Sequence, residues 1–359
     1  MVAKGLITPA AGLFSGSAAA NTSTALACVA NRPIVCHVLD AMLQARVAEV
    51  ALLVPASMVE QLRACVEADG PRRLAVEYMP YEDGALERAL ASVSGFVAGS
   101  PCVVHAANGL LGQPLAPLMS GLGERGRDLV ALVHRQPAAG GSIGLAARRM
   151  LRLTGAREED RALDLAGACM FGPGALRDAI ATRAWRCDEL DLVAVAERLV
   201  DAGAGVSIER VNGWRSYTGE ATDLLECNRI AFDALSREQT EIATEMPGSG
   251  SEGNRIEGYV EAHATACVRS SVIVGPATLG PGAQVVDSYI GPYTSIGADV
   301  RIEGAEVERS IILRGASITH IGGRLVGSVV GRDARVFRDF SLPRALRVNV
   351  GDGGEVALC

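Results

Sequence analysis

From residue 268 onward the chain keeps an interval that few folds can accommodate. Val268 and Val274 lie six residues apart, as do Leu279 and Val285, and Ile290, Ile296 and Ile302 follow at the same step. Glycine stands beside several of them, in Val274-Gly275, Leu279-Gly280, Ile290-Gly291 and Ile296-Gly297. One aliphatic plus one small residue in every six is the pattern of a parallel β-helix. Each hexad makes a flat face, the aliphatic side chain points inward, and glycine allows the tight corner. Irregular glycine-rich loops would not hold the interval through successive coils.

The first half of the chain has a different rhythm. Short apolar strands at Gly5-Leu6-Ile7-Thr8, residues 50–54, 74–78, 102–105 and 129–133 alternate with amphipathic helices. Pro33 opens one of these helices, with Ile34, Val38 and Met42 on one face, and residues 58–67 form another. Such alternation predicts an α/β fold, a Rossmann-like, mostly parallel sheet with helices on both faces. Ligands reach these sheets beyond the carboxyl ends of the strands, so the loops after Ile7, His105 and Val133 should form the site. Residues 190–235 read as mainly helical, interrupted by the stretch VSIERVNGWRSYTG. The stretch MPGSGSEGN has the composition of a flexible linker. The expected organisation is an α/β domain over 1–245, a linker over 246–257, and a left-handed parallel β-helix over 258–359.

Composition excludes several classes of function. A net charge of −7, without a basic stripe interleaved with aromatics, argues against a nucleic-acid partner. No apolar run approaches a bilayer span, and the opening MVAKGLITPAAG lacks the layout of a secretory signal, which predicts a cytoplasmic protein that does not enter the membrane. Nine cysteines without a CxxC pair predict reduced thiols and no zinc site.

The segment from Trp214 to Arg229, WRSYTGEATDLLECNR, resembles the W-x-D-x-G…D-L-L-x-x-N-R segment of glucose-1-phosphate thymidylyltransferases. Ala30-Asn31-Arg32-Pro33-Ile34 is similar to that family's A-N-K-P-I. Residues 254–258 and 290–297 resemble the β-helix tail of its long forms, found in actinobacterial antibiotic pathways. The resemblance implies a reaction joining a sugar-1-phosphate to a nucleoside triphosphate, with a glycine-rich phosphate loop, cations, and Mg²⁺ held by carboxylates.

Matched residue by residue, most of that machinery is missing. The phosphate loop reads Ile7-Thr8-Pro9-Ala10-Ala11-Gly12-Leu13-Phe14-Ser15-Gly16-Ser17, so Gly12 remains but Phe14 takes the place of the arginine. The family's lysine falls at Thr24, and its G-D-N, whose aspartate holds Mg²⁺, becomes Ala106-Ala107-Asn108. The second metal aspartate is lost within Ser216-Tyr217. Gly144, Gly167, Glu189 and Asp191 survive. With both carboxylates, the arginine and the lysine gone, no metal and no cofactor is expected.

Three functions remain open at this point. The old pocket could run a different, metal-independent reaction on a small molecule, with His105, His134, Tyr217, Glu189 and Asp191 as acid–base candidates. Gly12, Phe14, Asn108, Arg135, Gly144, Gly167 and Trp214 would then line the ligand. Alternatively, the chain is a non-catalytic partner of another pathway enzyme and self-associates through the β-helix. Nucleotidyl transfer by an unrecognised arrangement is the third possibility.

Overall fold

A computed structural model describes residues 3–8, 22–82, 86–122, 124, 127–135, 145–154, 163–181, 185–186, 189–190, 192–238 and 253–338. Seven strands form the main sheet: β1 (Lys4–Thr8), β2 (Glu49–Pro55), β3 (Ala75–Tyr81), β4 (Cys102–Ala106), β6 (Leu129–Arg135), β7 (Leu163–Phe171) and β8 (Val206–Val211). Two shorter strands, β5 (Gly109–Leu111) and β9 (Trp214–Ser216), pair antiparallel with each other. The helices are α1 (Ile34–Gln44), α2 (Val59–Asp69), α3 (Leu86–Val97), α4 (Leu145–Leu153), α5 (Ala175–Ala181), α6 (Leu192–Asp201) and α7 (Ala221–Glu238).

The sheet order is β8-β6-β7-β4-β1-β2-β3. All neighbours run parallel except β7, which is antiparallel to both β4 and β6. Strand β4 is buried along its whole length and β6 everywhere but Arg135, as continuous apolar runs in a sheet covered on both faces require. Pro33 stands just before α1 as its N-cap, where its missing N–H costs no helical bond.

After residue 252 the chain builds three five-stranded parallel sheets that share one interior. Each coil takes about one turn through the three faces, beginning with Arg255–Glu257, Val260–Ala262 and Cys267–Arg269. The first strand thus falls at the end of the expected linker, because Ile256 pairs with Ile273 of the next coil; residues 239–252 lie outside the described residues. The interior is filled by Val268, Ile273, Leu279, Val285, Ile290, Ile296 and Ile302. Ile273 takes the inward place expected of Val274, which is half-buried on the outside. The corner at Ser270-Ser271 takes one residue fewer than a strict hexad, with Ser270 at φ 47° making the sharp bend. Asp287 repeats it one coil later at the same angle.

The β-helix does not stand apart from the sheet domain. One of its faces carries Thr278, Ser295 and Ile311, which would be exposed on an isolated helix but are buried here. Ile311 belongs to the same apolar core as the sheet domain. Asn228 of α7 makes the joint: its Oδ1 accepts from the Ala30 N–H (2.8 Å) and the Ser295 hydroxyl (2.6 Å), and its Nδ2 donates to Tyr293 O (2.9 Å). Asn31 Nδ2 donates to Ile296 O at 2.7 Å. The Tyr293 hydroxyl donates to Asp233 (3.0 Å), and its ring meets Phe232 edge-on at 6.3 Å. No described helix is long and apolar enough to cross a membrane.

Candidate functional site

Strands β1, β4 and β6 end together at the carboxyl edge of the sheet. Thr8 closes β1, and its carbonyl accepts the Ala107 N–H at 2.9 Å, drawing the turn after β4 against β1. Beyond that turn, β5 and β9 zip together with Gly109 opposite Ser216 and Leu111 opposite Trp214. The zipper runs one residue further: Tyr217 N–H donates to Asn108 O (2.9 Å), and Asn108 Nδ2 donates to Tyr217 O (2.8 Å). The two places where the resemblance puts Mg²⁺ ligands, Ala107 and Ser216-Tyr217, are therefore neighbours in space as well as in motif. They present a methyl group, a hydroxyl and a phenol. Nearby Asp223 is taken up by Arg215 (3.4 Å) and by the Thr218 hydroxyl. Among the described residues no cluster of three or more His, Cys, Asp or Glu side chains could hold a metal. The described residues at these two positions do not fit a divalent cation.

Trp214 fills much of this edge. Its indole occupies the space that a side chain at Gly109 would need, and a Cβ at Gly167 would meet Trp214 Cζ2 at 2.5 Å and Ala106 Cβ at 3.2 Å. Both glycines admit the indole, which is itself buried. His105 stands edge-on to the same ring, with centroids 5.4 Å apart. Its Nδ1 lies 2.8 Å from Ala106 O, which makes Nδ1 the protonated nitrogen and Nε2 the acceptor. Burial pushes the imidazole down to about 4, and the Ala106 carbonyl only partly offsets this. His105 also forms a wall of a cavity of about 110 Å³ between α1 and α7, shared with His37, Arg32 and Asp40. That volume is below the several hundred Å³ typical of small-molecule pockets.

His134 is buried at the outer end of β6 opposite Asp164, and burial lowers its pKa against the opposing effect of Asp164. The structure does not bring it to His105. Their partners on β7, Asp164 and Ala168, are four residues apart, about 13 Å of strand, and two strand spacings add about 10 Å sideways. Arg135 is exposed next to His134. Tyr217 is half-buried, its hydroxyl 3.5 Å from Gly219 O. Glu189 lies in the short pair Trp185–Arg186 with Glu189–Leu190, whose side chains are outside the described set. Gly12, Phe14, Gly144 and Asp191 also lie outside the described residues.

Of the described cations, Arg215 stays at this edge on β9, paired with Asp223, and Arg135 ends β6, whereas Lys4 lies elsewhere. Lys4 is the only lysine in the sequence. It sits at the amino end of β1, on the far edge of the sheet, with Nζ 2.8 Å from Phe96 O, 2.9 Å from Glu49 and 4.5 Å from the centre of the Phe96 ring. Arg32 is bound to Asp40 (2.6 Å) and to Asp69 O (2.5 Å). The residues that sequence reasoning passed over are Asn31, Asn228, Tyr293 and Ser295. All four stand inside the segments quoted for the family resemblance, but none of them carries evident chemistry there.

No family model matches the chain. A glucose-1-phosphate thymidylyltransferase of Streptomyces griseus is 36% identical over 192 residues, a match spanning 53% of this chain and 51% of that one. One of Streptomyces antibioticus is 29% identical over 343 residues, 93% of each chain. A low-salt glycan biosynthesis nucleotidyltransferase of Haloferax volcanii is 28% identical over 201 residues, covering 55% of this chain and 54% of its own. A solved Bacillus anthracis structure, described as a candidate glucose-1-phosphate thymidylyltransferase with sucrose, shares 12% identity at a TM-score of 0.49 over 64% of this chain and 95% of that one. The chain is thus similar to a glucose-1-phosphate thymidylyltransferase along nearly its whole length, and more strongly to another over about half of it.

Proposed function

We propose that this chain has given up nucleotidyl transfer and serves as a non-catalytic member of its family, working by association with itself or with another enzyme of a natural-product pathway. The observation that supports this reading is the loss, at the positions matched by the resemblance, of the arginine, the lysine and both metal carboxylates. The single lysine is held at the opposite edge of the sheet by Phe96 and Glu49, and the two metal positions are occupied by Ala107 and Ser216-Tyr217. Losing one electrostatic donor typically lowers a rate about 10²–10³-fold, and here four are gone together. His105, ring-packed on Trp214 and 2% exposed, is a poor candidate for a base that must touch substrate. Calorimetry with dTTP and Mg²⁺, and with glucose-1-phosphate, should show no saturable binding. Micromolar, Mg²⁺-dependent dTTP binding would overturn the proposal.

A second reading, a ligand pocket turned to other chemistry, is favoured by one atom. Asn108 Oδ1 is buried with no hydrogen-bond partner among the described residues, and the residue is 3% exposed. A buried acceptor left open costs about 1–3 kcal/mol, and a ligand N–H or O–H could recover it. A metabolite that raises the melting temperature of the native chain, but not that of Asn108→Leu, would move the balance to this reading.

A further inference from the structure

Two cysteines face each other across the seam between α1 and α2. Cys36, in the first turn of α1, is fully buried, whereas Cys65, on α2, is half-buried. Their sulfurs are 3.9 Å apart, and Cys36 Sγ lies at the same distance from Cys65 O. Cys28, on the short strand ahead of α1, lies within electrostatic reach of the pair. The other buried thiols, Cys102, Cys169 and Cys227, are pushed upward by burial and have no such solvent-reachable partner.

We propose that Cys36 and Cys65 form a redox-modifiable dithiol that closes to a disulfide when a hydroperoxide oxidises the solvent-reachable Cys65. The Cys65 thiolate attacks the terminal peroxide oxygen, the O–O bond breaks, and the departing alkoxide takes a proton, leaving Cys65 as a sulfenic acid. The Cys36 sulfur then attacks the Cys65 sulfur, and hydroxide leaves with the Cys36 proton as water. Two thiols and one hydroperoxide become one disulfide, one alcohol (water, if the oxidant is hydrogen peroxide) and one water. The sulfurs have to close from 3.9 Å to about 2.0 Å, a movement within reach of side-chain rotation if the two Cβ atoms come to bonding separation.

The pair is also chemically asymmetric in the needed direction. Hydrogen bonding between the two sulfurs, in which either can donate, lowers the pKa of Cys65 against its partial burial. The same bond, together with burial, raises that of Cys36. The more exposed sulfur is thus the better thiolate, and the buried one keeps the proton that leaves in the second step. The cross-link would bind α2 to α1, which follows directly on the Asn31-Arg32 turn bonded to the β-helix. Arg32 already reaches across to Asp69 O at the end of α2, so the disulfide would stiffen an existing joint.

The test uses the full chain treated with hydrogen peroxide at neutral pH, then denatured, alkylated and digested. A Cys36–Cys65 cross-linked peptide should appear and be reversed by dithiothreitol. The oxidised protein should melt about 5 °C higher, because the bond closes a loop of about 30 residues. Cys65→Ser should abolish the cross-link. Cys36→Ser, or Cys36→Ala if serine is not tolerated in the core, should instead leave a dimedone-reactive sulfenic acid on Cys65. A Cys65 that stays reduced in the wild type, or one whose link maps to Cys28, would overturn the proposal.

Discussion

Desolvation, more than any charged partner, sets the chemistry of the two histidines that line the cavity between α1 and α7. His37 and His105 are both pushed down to about 4, each held by a backbone carbonyl, Val29 O at 3.0 Å and Ala106 O at 2.8 Å. Their folded pKa values lie below the unfolded value of 6.5. The unfolded chain therefore binds protons that the native chain refuses, so their contribution is complete above about pH 6.5 and is lost as the pH falls toward 4. At about 1.4 kcal/mol per pH unit, each accounts for up to about 3 kcal/mol. Denaturant midpoints should fall steadily from pH 7 to 4.5, and His105→Gln should flatten that slope. An NMR titration with the His105 ring protonating near its ordinary value would contradict the burial account. At Gly167 the expectation is steric: Gly167→Ala drives a methyl group into the Trp214 indole and should cost about 1–3 kcal/mol in equilibrium unfolding.

Among the elements, α7 decides how the two halves sit together. Asn228 satisfies three partners from two segments, so Asn228→Ala leaves the Ala30 N–H, the Ser295 hydroxyl and Tyr293 O without it. A loss of about 2–4 kcal/mol is expected, measured by thermal or denaturant unfolding. Asn228→Asp keeps the two acceptor contacts but loses the donor to Tyr293 O, and should fall between the two. This joint explains what the sequence could and could not reveal. The strands β1, β2, β4 and β6 were legible because apolar runs bounded by turns leave little choice, and the β-helix because its interval recurs. Strand β7 was not, since nothing in LDLAGACMF distinguishes an antiparallel insertion from one more parallel strand. Val274 was mistaken for an inward residue because adjacent β-branched residues at 272–274 satisfy either register, and the corner length decides between them. At the site, the resemblance gives Ala107 and Ser216-Tyr217 the two metal positions, and the β5–β9 zipper joins the segments that carry them. What it could not convey is that an indole fills the edge, or that the two sheet-end histidines are separated by β7.

At the scale of the whole molecule, the β-helix has one face already spent. Asn228, Asn31 and the core around Ile311 bind it to the sheet domain, so a further partner must use another face or an end. The outer faces are studded with charge, as in Arg255 with Glu257, Arg301 with Glu303, and Arg324 with Glu306 and Glu308. Charged edges of this kind discourage strand-to-strand association. The last described coil carries charge too, in Arg324 and Arg335, but also exposes large apolar side chains. Its strands Arg324–Val326, Val329–Val330 and Arg335–Phe337 are the terminal members of the three sheets, and Val326 and Phe337 are 51% and 55% exposed. Large exposed apolar side chains on the last described strands of a sheet are a common basis for assembly. If the chain works by association, the double variant Val326→Glu, Phe337→Glu should lower the mass measured by multi-angle light scattering to that of a smaller species. The melting temperature should change by only a few degrees, since neither side chain belongs to the interior. An unchanged mass would place the contact on the sheet domain, and a protein that is monomeric before substitution would remove self-association from the proposed function, leaving only a different enzyme as partner.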